Sequence, residues 1–203
     1  MEKILAIATF NPHKLREMRA ILPPLPFALK ALSDFPGAVP AEEDGATLEE
    51  NAVKKALAAA RFTGFWSLAD DTGLEVDALR GGPGVKSARY AGEHASSAEN
   101  SARLLSELAG LPSEKRLARF ATVMALASPS GDLKISRGAL EGRIACAARG
   151  ARGFGYDPLF EVGGGARTLA EFTEEEKNSV SHRALALKGL LPELLRLCGQ
   201  RDS

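Results

Sequence analysis

The chain has 203 residues, with 26 Lys+Arg balanced by 26 Asp+Glu for a formal net charge of zero. At 45% hydrophobic residues it has the composition of a soluble globular protein with enough length for a substantial core. Zero net charge argues against a nucleic-acid partner held through many phosphates but admits one small phosphorylated ligand, and two cysteines in no metal-ligand spacing, Cys146 and Cys198, argue against a disulfide framework or a structural zinc.

The apolar run KILAIAT (3–9) predicts a short buried strand, and it is too short for a signal peptide's apolar region. Asn11 as N-cap and Pro12 as first helical residue then open a helix through about Leu22, with Leu15, Met18 and Leu22 on one face. PPLP (23–26) stops it, FALKAL (27–32) is a second strand, and residues 33–46 form a loop. Thr47 to about Arg61 is a helix that buries Leu48, Ala52, Ala56 and Ala59. WSLAD (66–70) reads as a strand ending on the acidic pair Asp70-Asp71, and GGPG (81–84) as a loop. A helix follows from Ser96 to Ala109, capped by Ser96 or Ser97. The strands 119–127 and 133–145 flank the turn PSGD (129–132). The Gly-rich RGFGYDPLF (152–160) leads into a strand, then the GGG turn at 163–165. Thr173 and Glu176 have capping-box spacing. Ser181 can cap a last helix with the stripe Leu187, Leu190, Leu191, Leu194 and Leu195. The order predicts a mixed α/β protein with a partly antiparallel sheet and no forced domain boundary. No run approaches the roughly 20 apolar residues of a bilayer span, so no membrane partner is expected and the cytoplasm is the expected location.

Five constellations carry chemistry. Thr9-Phe10-Asn11-Pro12-His13-Lys14 lies where a strand hands over to a helix, so backbone N–H groups, the helix dipole and Lys14 favour a phosphate; a capped helix with a solvated lysine accounts for it equally well. Glu42-Glu43-Asp44 and Asp70-Asp71 offer hard oxygen ligands of the kind Mg²⁺ takes together with substrate phosphates, and a carboxylate beside the metal could activate a water. Adjacent carboxylates at 70 and 71 repel unless a cation is near. Asn51 and Lys55 share a helix face, while Lys54 has the spacing of a surface ion pair with Glu50. In Phe154-Gly155-Tyr156-Asp157 the aromatic can stack on a flat base and Asp157 can accept from ring N–H groups, although a buried aromatic in a tight turn is an equal reading. Lys177, His182 and Arg183 crowd positive character into a helix start, an unfavourable place for cations unless an anion or an electron-rich ligand face is there. No Walker sequence and no G-x-S-x-G elbow occurs, which sets aside a P-loop enzyme and a serine hydrolase.

Taken together, ATFNPHKLRE (8–17), AEEDGATLEENAVKKA (41–56), LADDTGLEVDALRGGPGVKSARYAG (68–92), GFGYDPLF (153–160) and TEEEKNSVSHRALAL (173–187) resemble, in order and spacing, the inosine triphosphate pyrophosphatase family. The resemblance runs through nearly the whole chain. It implies a single domain over 1–203 with an elongated mixed sheet flanked by helices, in two lobes with the active-site cleft between them. It implies hydrolysis of ITP, dITP and XTP to the monophosphate and pyrophosphate, with Mg²⁺ as cofactor and a homodimer as the assembly. By the same resemblance Asp71 is the general base, Glu42 and Asp71 are the metal carboxylates, and Lys14 and Lys55 serve the triphosphate. Thr9, Phe10, Asn11, Pro12, His13 and Lys14, with Thr72, Phe154, Gly155, Tyr156, Asp157, Lys177, His182 and Arg183, match substrate-contacting positions. Thr72 stands where serine is common, Lys86 where an aromatic is frequent and His13 where glycine is frequent. The rival readings are a pyrophosphatase for other bases, a nucleotide sensor without turnover and, more distantly, a nucleic-acid binder.

Overall fold

The computed structural model describes residues 3–199. The two ends of the expected 1–203 domain, residues 1–2 and 200–203, lie outside the described residues. The chain divides into two compact units, one within Met1–Asp71, Thr122–Gly138 and Arg183–Ser203, the other within Thr72–Ala121 and Ala139–His182. The strand order is β2-β1-β3-β5-β6-β7, with β4 also on β3.

In the first unit β1 (Ile4–Ile7) runs parallel both to β2 (Ala28–Ala31) and to β3 (Ser67–Val76). Side chains alternate across a strand, and the residues follow that rule. Leu5, Ile7 and Leu68 share a core with Met18 of α1 (Pro12–Ile21), Met124 and Leu126 of β5 (Leu117–Ala127), and Leu187, Leu190, Leu194 and Leu197 of α5 (His182–Gly199). The alternate positions Ala6 and Ala69 are also buried. α2 (Leu48–Thr63) contacts β1, and its own buried residues Ala52, Ala56, Ala59 and Ala60 are small enough for a close approach. The Asn11 side chain caps α1 and that of Thr47 caps α2, which ends on Gly64 in the left-handed conformation (φ 74°).

In the second unit β4 (Gly82–Gly84) pairs antiparallel with β3, and β6 (Leu133–Ile144) antiparallel with β7 (Phe160–Val162). Leu74, Val76, Phe120, Ile144, Leu159, Phe160 and Leu169 form its core with Leu104 of α3 (Ser97–Glu107). Capping boxes start both α3 (Ser96 and Glu99) and α4 (Glu174–Val180; Thr173 and Glu176). The sheet is mixed, as the element order predicts.

Three local expectations need correction. β3 does not end at the acidic pair but continues to Val76, because its later residues find a partner in β4. Asp70 and Asp71 still lie past the end of β1, whose pairing with β3 stops at Ile7–Leu68. GGPG is not only loop: Gly82–Gly84 forms β4, which approaches so closely that a Cβ on Gly73 would meet Gly84 O at 2.6 Å. In α5 the buried stripe passes through Leu197 rather than Leu195, which is 53% exposed.

Leu187→Ala is expected to lower unfolding free energy by roughly 2–5 kcal/mol in urea titrations, whereas Leu195→Ala on the same helix is expected to stay within about 0.5 kcal/mol. Equal effects would contradict this assignment of the helix faces.

Candidate active site

The site is organised by β3. Asp70 and Asp71 are adjacent in an extended strand, so their side chains leave on opposite faces. Asp70 takes the Leu68 face, toward α1 and the start of α5. There its Oδ2 lies 3.0 Å from Lys14 Nζ and accepts a 3.1 Å bond from Arg183 Nη2. Arg183 donates its Nη1 to Glu17 of α1. Arg183 is 1% exposed, so this guanidinium is a buried group between two carboxylates. The carboxylates supply the anions that a cation at a helix start calls for. Burial alone would raise the Asp70 pKa, but Lys14, Arg183 and Lys55 outweigh it and hold the carboxyl far below the usual range.

Asp71 takes the opposite face, toward α2. Lys55 Nζ lies 2.6 Å from Asp71 Oδ1 and 2.7 Å from Glu43 Oε1, and Asn51 Nδ2 is 3.4 Å from Asp71 Oδ2. The Asn51 Oδ1 accepts from Gly45 N at 2.8 Å, which ties the 42–46 loop to the helix; a Cβ on Gly45 would meet that oxygen at 2.6 Å. Burial pushes the Asp71 pKa up, and Lys55 only partly offsets it. For Lys55 burial acts downward, but the charges of Asp71, Asp70 and Glu43 together carry it upward.

Of the two glutamates, the structure brings Glu43 to Asp71. Glu42 is 84% exposed and turns toward Lys54 at 3.8 Å. Lys54 pairs with Asp44 at 2.6 Å rather than with Glu50 as expected, because Glu50 accepts from Ala46 N ahead of the helix. Glu43 and Asp71 are an oxygen-only pair converging on one cationic position. Among the described residues no group of three His, Cys, Asp or Glu side chains is arranged to hold a metal. Two carboxylates completed by phosphate oxygens is a donor set that fits Mg²⁺.

The remaining candidates divide between the units. Thr9 is buried and its Oγ1 accepts from Asn11 N at 3.1 Å, while Phe10, Pro12 and His13 are exposed. Of the helix-start amides offered to a phosphate, those of His13 and Lys14 bond to Asn11 Oδ1 at 2.9 and 3.4 Å. In the second unit Asp157 Oδ2 accepts from Phe154 N at 2.8 Å and from Lys177 Nζ at 2.6 Å, and Lys177 Nζ lies 5.0 Å from the Phe154 ring centroid. Asp157 thus carries a buried lysine rather than presenting both functions outward. The His182 ring stacks on Phe120 at 4.9 Å, and Tyr156 is buried with its hydroxyl donating to Ser87 O at 2.9 Å. Thr72 and Gly155 are half-buried. Glu17 received no role from the sequence; its one local signal is a position one helical turn after Lys14.

The unfolded Asp70 carboxyl titrates near 3.8 and the folded one well below. Its contribution is complete above that value and is lost as pH falls through the range beneath it. Asp70→Asn is expected to cost about 3–5 kcal/mol at pH 7 by leaving two buried cations without their carboxylate. It is also expected to flatten the acid limb of stability below about pH 4, measured by urea unfolding across pH.

The Ham1 family model matches residues 5–193. The chain is 50% identical over 193 residues to a dITP/XTP pyrophosphatase of Desulforamulus reducens, covering 95% of this chain and 96% of that one. It is 55% identical to a dITP/XTP pyrophosphatase of Geobacter sulfurreducens, covering 90% and 92%. Its fold matches a Ham1 protein of Staphylococcus aureus with TM-score 0.85 at 37% identity, covering 96% of this chain and 100% of that one. A Ham1 protein of Coxiella burnetii also matches with TM-score 0.85, at 41% identity and 96% and 99% coverage. With a family model across almost its whole length and relatives at half identity, the chain belongs to the Ham1 family.

Proposed function

We propose that the chain is a nucleoside triphosphate pyrophosphohydrolase that converts ITP, dITP and XTP to the monophosphate and pyrophosphate, removing non-standard purines from the nucleotide pool. The observation that carries this reading is the Glu43–Lys55–Asp71 cluster, two carboxylates and an ammonium within 2.7 Å contacts, in a chain whose relatives are named dITP/XTP pyrophosphatase.

In this reading Asp71 is the proton acceptor for the attacking water. Burial raises its pKa and so makes it a stronger base than an ordinary aspartate carboxylate. Lys55 and Asn51 orient its two oxygens. Lys14 and Lys55 offset the charge that builds on the departing pyrophosphate. Glu43 and Asp71 would hold Mg²⁺ together with phosphate oxygens, and Glu42, turned toward Lys54, has the lesser claim. Bound there, Mg²⁺ supplies Lewis-acid polarisation of the α-phosphoryl group.

Base choice rests on the second unit. Phe154 offers a stacking face, Lys177 Nζ lies 5.0 Å from its ring centroid, and Asp157, His182 and Arg183 complete the motif set for the base. A donor aimed at the purine 6-position pairs with a 6-oxo group but meets a 6-amino group donor to donor, and an unmatched buried polar group is costly. The same reading carries a homodimer working in the cytoplasm, for which light scattering gives the assembly.

Pyrophosphate release is expected with ITP and XTP, to be abolished by EDTA, and to be far slower with ATP; equal rates on ATP and ITP would overturn the base selection. Asp71→Asn is expected to lower kcat roughly 10²–10⁴-fold. The acid limb of the kcat/KM profile is expected at a higher pH than an ordinary aspartate gives, because Asp71 must be ionised and burial raises its pKa. Tight ITP binding without turnover would favour a sensor instead.

A further inference from the structure

We infer that Glu17 is a positioning residue: acting through Arg183 and Asp70, it fixes the Lys14 ammonium where the substrate phosphates are bound. The inference rests on the phosphate role proposed for Lys14.

The argument starts from one oxygen. Lys14 Nζ and Arg183 Nη2 approach the same atom, Asp70 Oδ2, at 3.0 and 3.1 Å. Two cations sharing one acceptor compete for it, and the outcome depends on what else holds each of them. Lys14 has a flexible stem and a point charge, whereas Arg183 has a planar fork that matches a carboxylate through two parallel bonds. With no other anion, Arg183 would swing onto both oxygens of Asp70 and displace Lys14. Glu17 prevents this by engaging the other end of the fork, Nη1. Arg183 is thereby held between two carboxylates, with Nη1 on Glu17 and Nη2 on the Asp70 oxygen that Lys14 also contacts. Burial makes the device effective: Arg183 and Asp70 are 1% and 2% exposed and Glu17 is 14% exposed in its side chain. The four groups, two acids and two bases, are neutral together, so none carries an unmatched charge into the interior. Glu17 and Lys14 also sit one turn apart on α1, so the helix fixes the distance between the lysine and the carboxylate that governs it.

The experiment is a double-mutant cycle on the full-length enzyme with Lys14→Ala, Glu17→Gln and the pair. The readouts are kcat/KM for ITP and the affinity for inorganic tripolyphosphate by calorimetry. Glu17→Gln is expected to weaken tripolyphosphate binding and kcat/KM by roughly tenfold, the scale of losing one partner of a buried charge pair. In the Lys14→Ala background the same change is expected to do little, less than about twofold, because its target is already gone. Independent, multiplicative effects would overturn the inference, as would unchanged tripolyphosphate affinity in Glu17→Gln beside a clear loss in Lys14→Ala. Unchanged affinity in Lys14→Ala itself would instead overturn the phosphate role of Lys14. If Glu17→Gln is not recovered folded, Glu17→Asp, with its charge on a shorter arm, enters the same cycle with the same expected dependence on Lys14.

Discussion

Two carboxylates side by side in sequence are tolerable here because a strand sends them to opposite faces, where different cations make the direct contacts. Asp70 meets Lys14 and Arg183; Asp71 meets Lys55. At a few ångströms like charges in a poorly solvated setting repel by several kcal/mol, so a helix or turn that put both on one side would have forced one to take up a proton. The alternation begins in the core. Leu68 shares the Asp70 face with the leucines of α5, and Ala69 shares the Asp71 face near the alanine-lined α2. The same period that sorts large from small apolar residues sorts the two acids.

The faces differ in balance, and this separates their roles. Around Asp70 two carboxylates, Asp70 and Glu17, meet two cations, Lys14 and Arg183, and the four side chains sum to zero formal charge. Around Asp71 the carboxylates of Asp71 and Glu43 both contact the ammonium of Lys55, and these three side chains together carry a formal charge of −1. Their pKa values accordingly move apart, with Asp70 driven down by its cations and Asp71 up by burial. On the proposed reading, adjacent acids pushed in opposite directions by their surroundings divide into a structural carboxylate, Asp70, and a reactive one, Asp71. Zero net charge over the chain says nothing of this, because the excess is local.

What the sequence made legible follows from short-range rules. The caps at Asn11, Thr47, Ser96 and Thr173, the buried alanines of α2 and the mixed strand order all depend on neighbours within a turn or a strand period. That Glu43 and not Glu42 contacts Lys55 does not: both lie in a loop without a repeating pattern, tied to α2 where Asn51 holds Gly45 N. The Lys54–Glu50 pair was plausible by helix spacing, yet Glu50 is drawn to a free amide at the helix start and Lys54 to Asp44. Arg183 drew notice as a misplaced cation, but its partners are 166 and 113 residues away, beyond any pattern in a single chain. β3 overran its expected end for a related reason, since β4 was read as punctuation rather than as a strand.

The base-side segment shows how a correct residue can have its chemistry turned inward. As a sequence, Asp157 after an aromatic bracketed by glycines looks like an acceptor waiting for ring N–H groups. In the fold its Oδ2 serves Phe154 N and Lys177 Nζ, and Gly153, at φ +75°, lies so near that a Cβ would stand 2.1 Å from that oxygen. That oxygen shapes the loop and carries a buried lysine close to the Phe154 face. On the proposed reading such a segment offers a flat ligand the Phe154 ring with the Lys177 ammonium 5.0 Å from its centroid, a donor rather than an acceptor. A purine whose edge carries carbonyl oxygens satisfies that donor better than one whose edge carries an amino group. On the proposed reading, discrimination therefore comes from a lysine that Asp157 holds in place, with the aspartate acting at one remove.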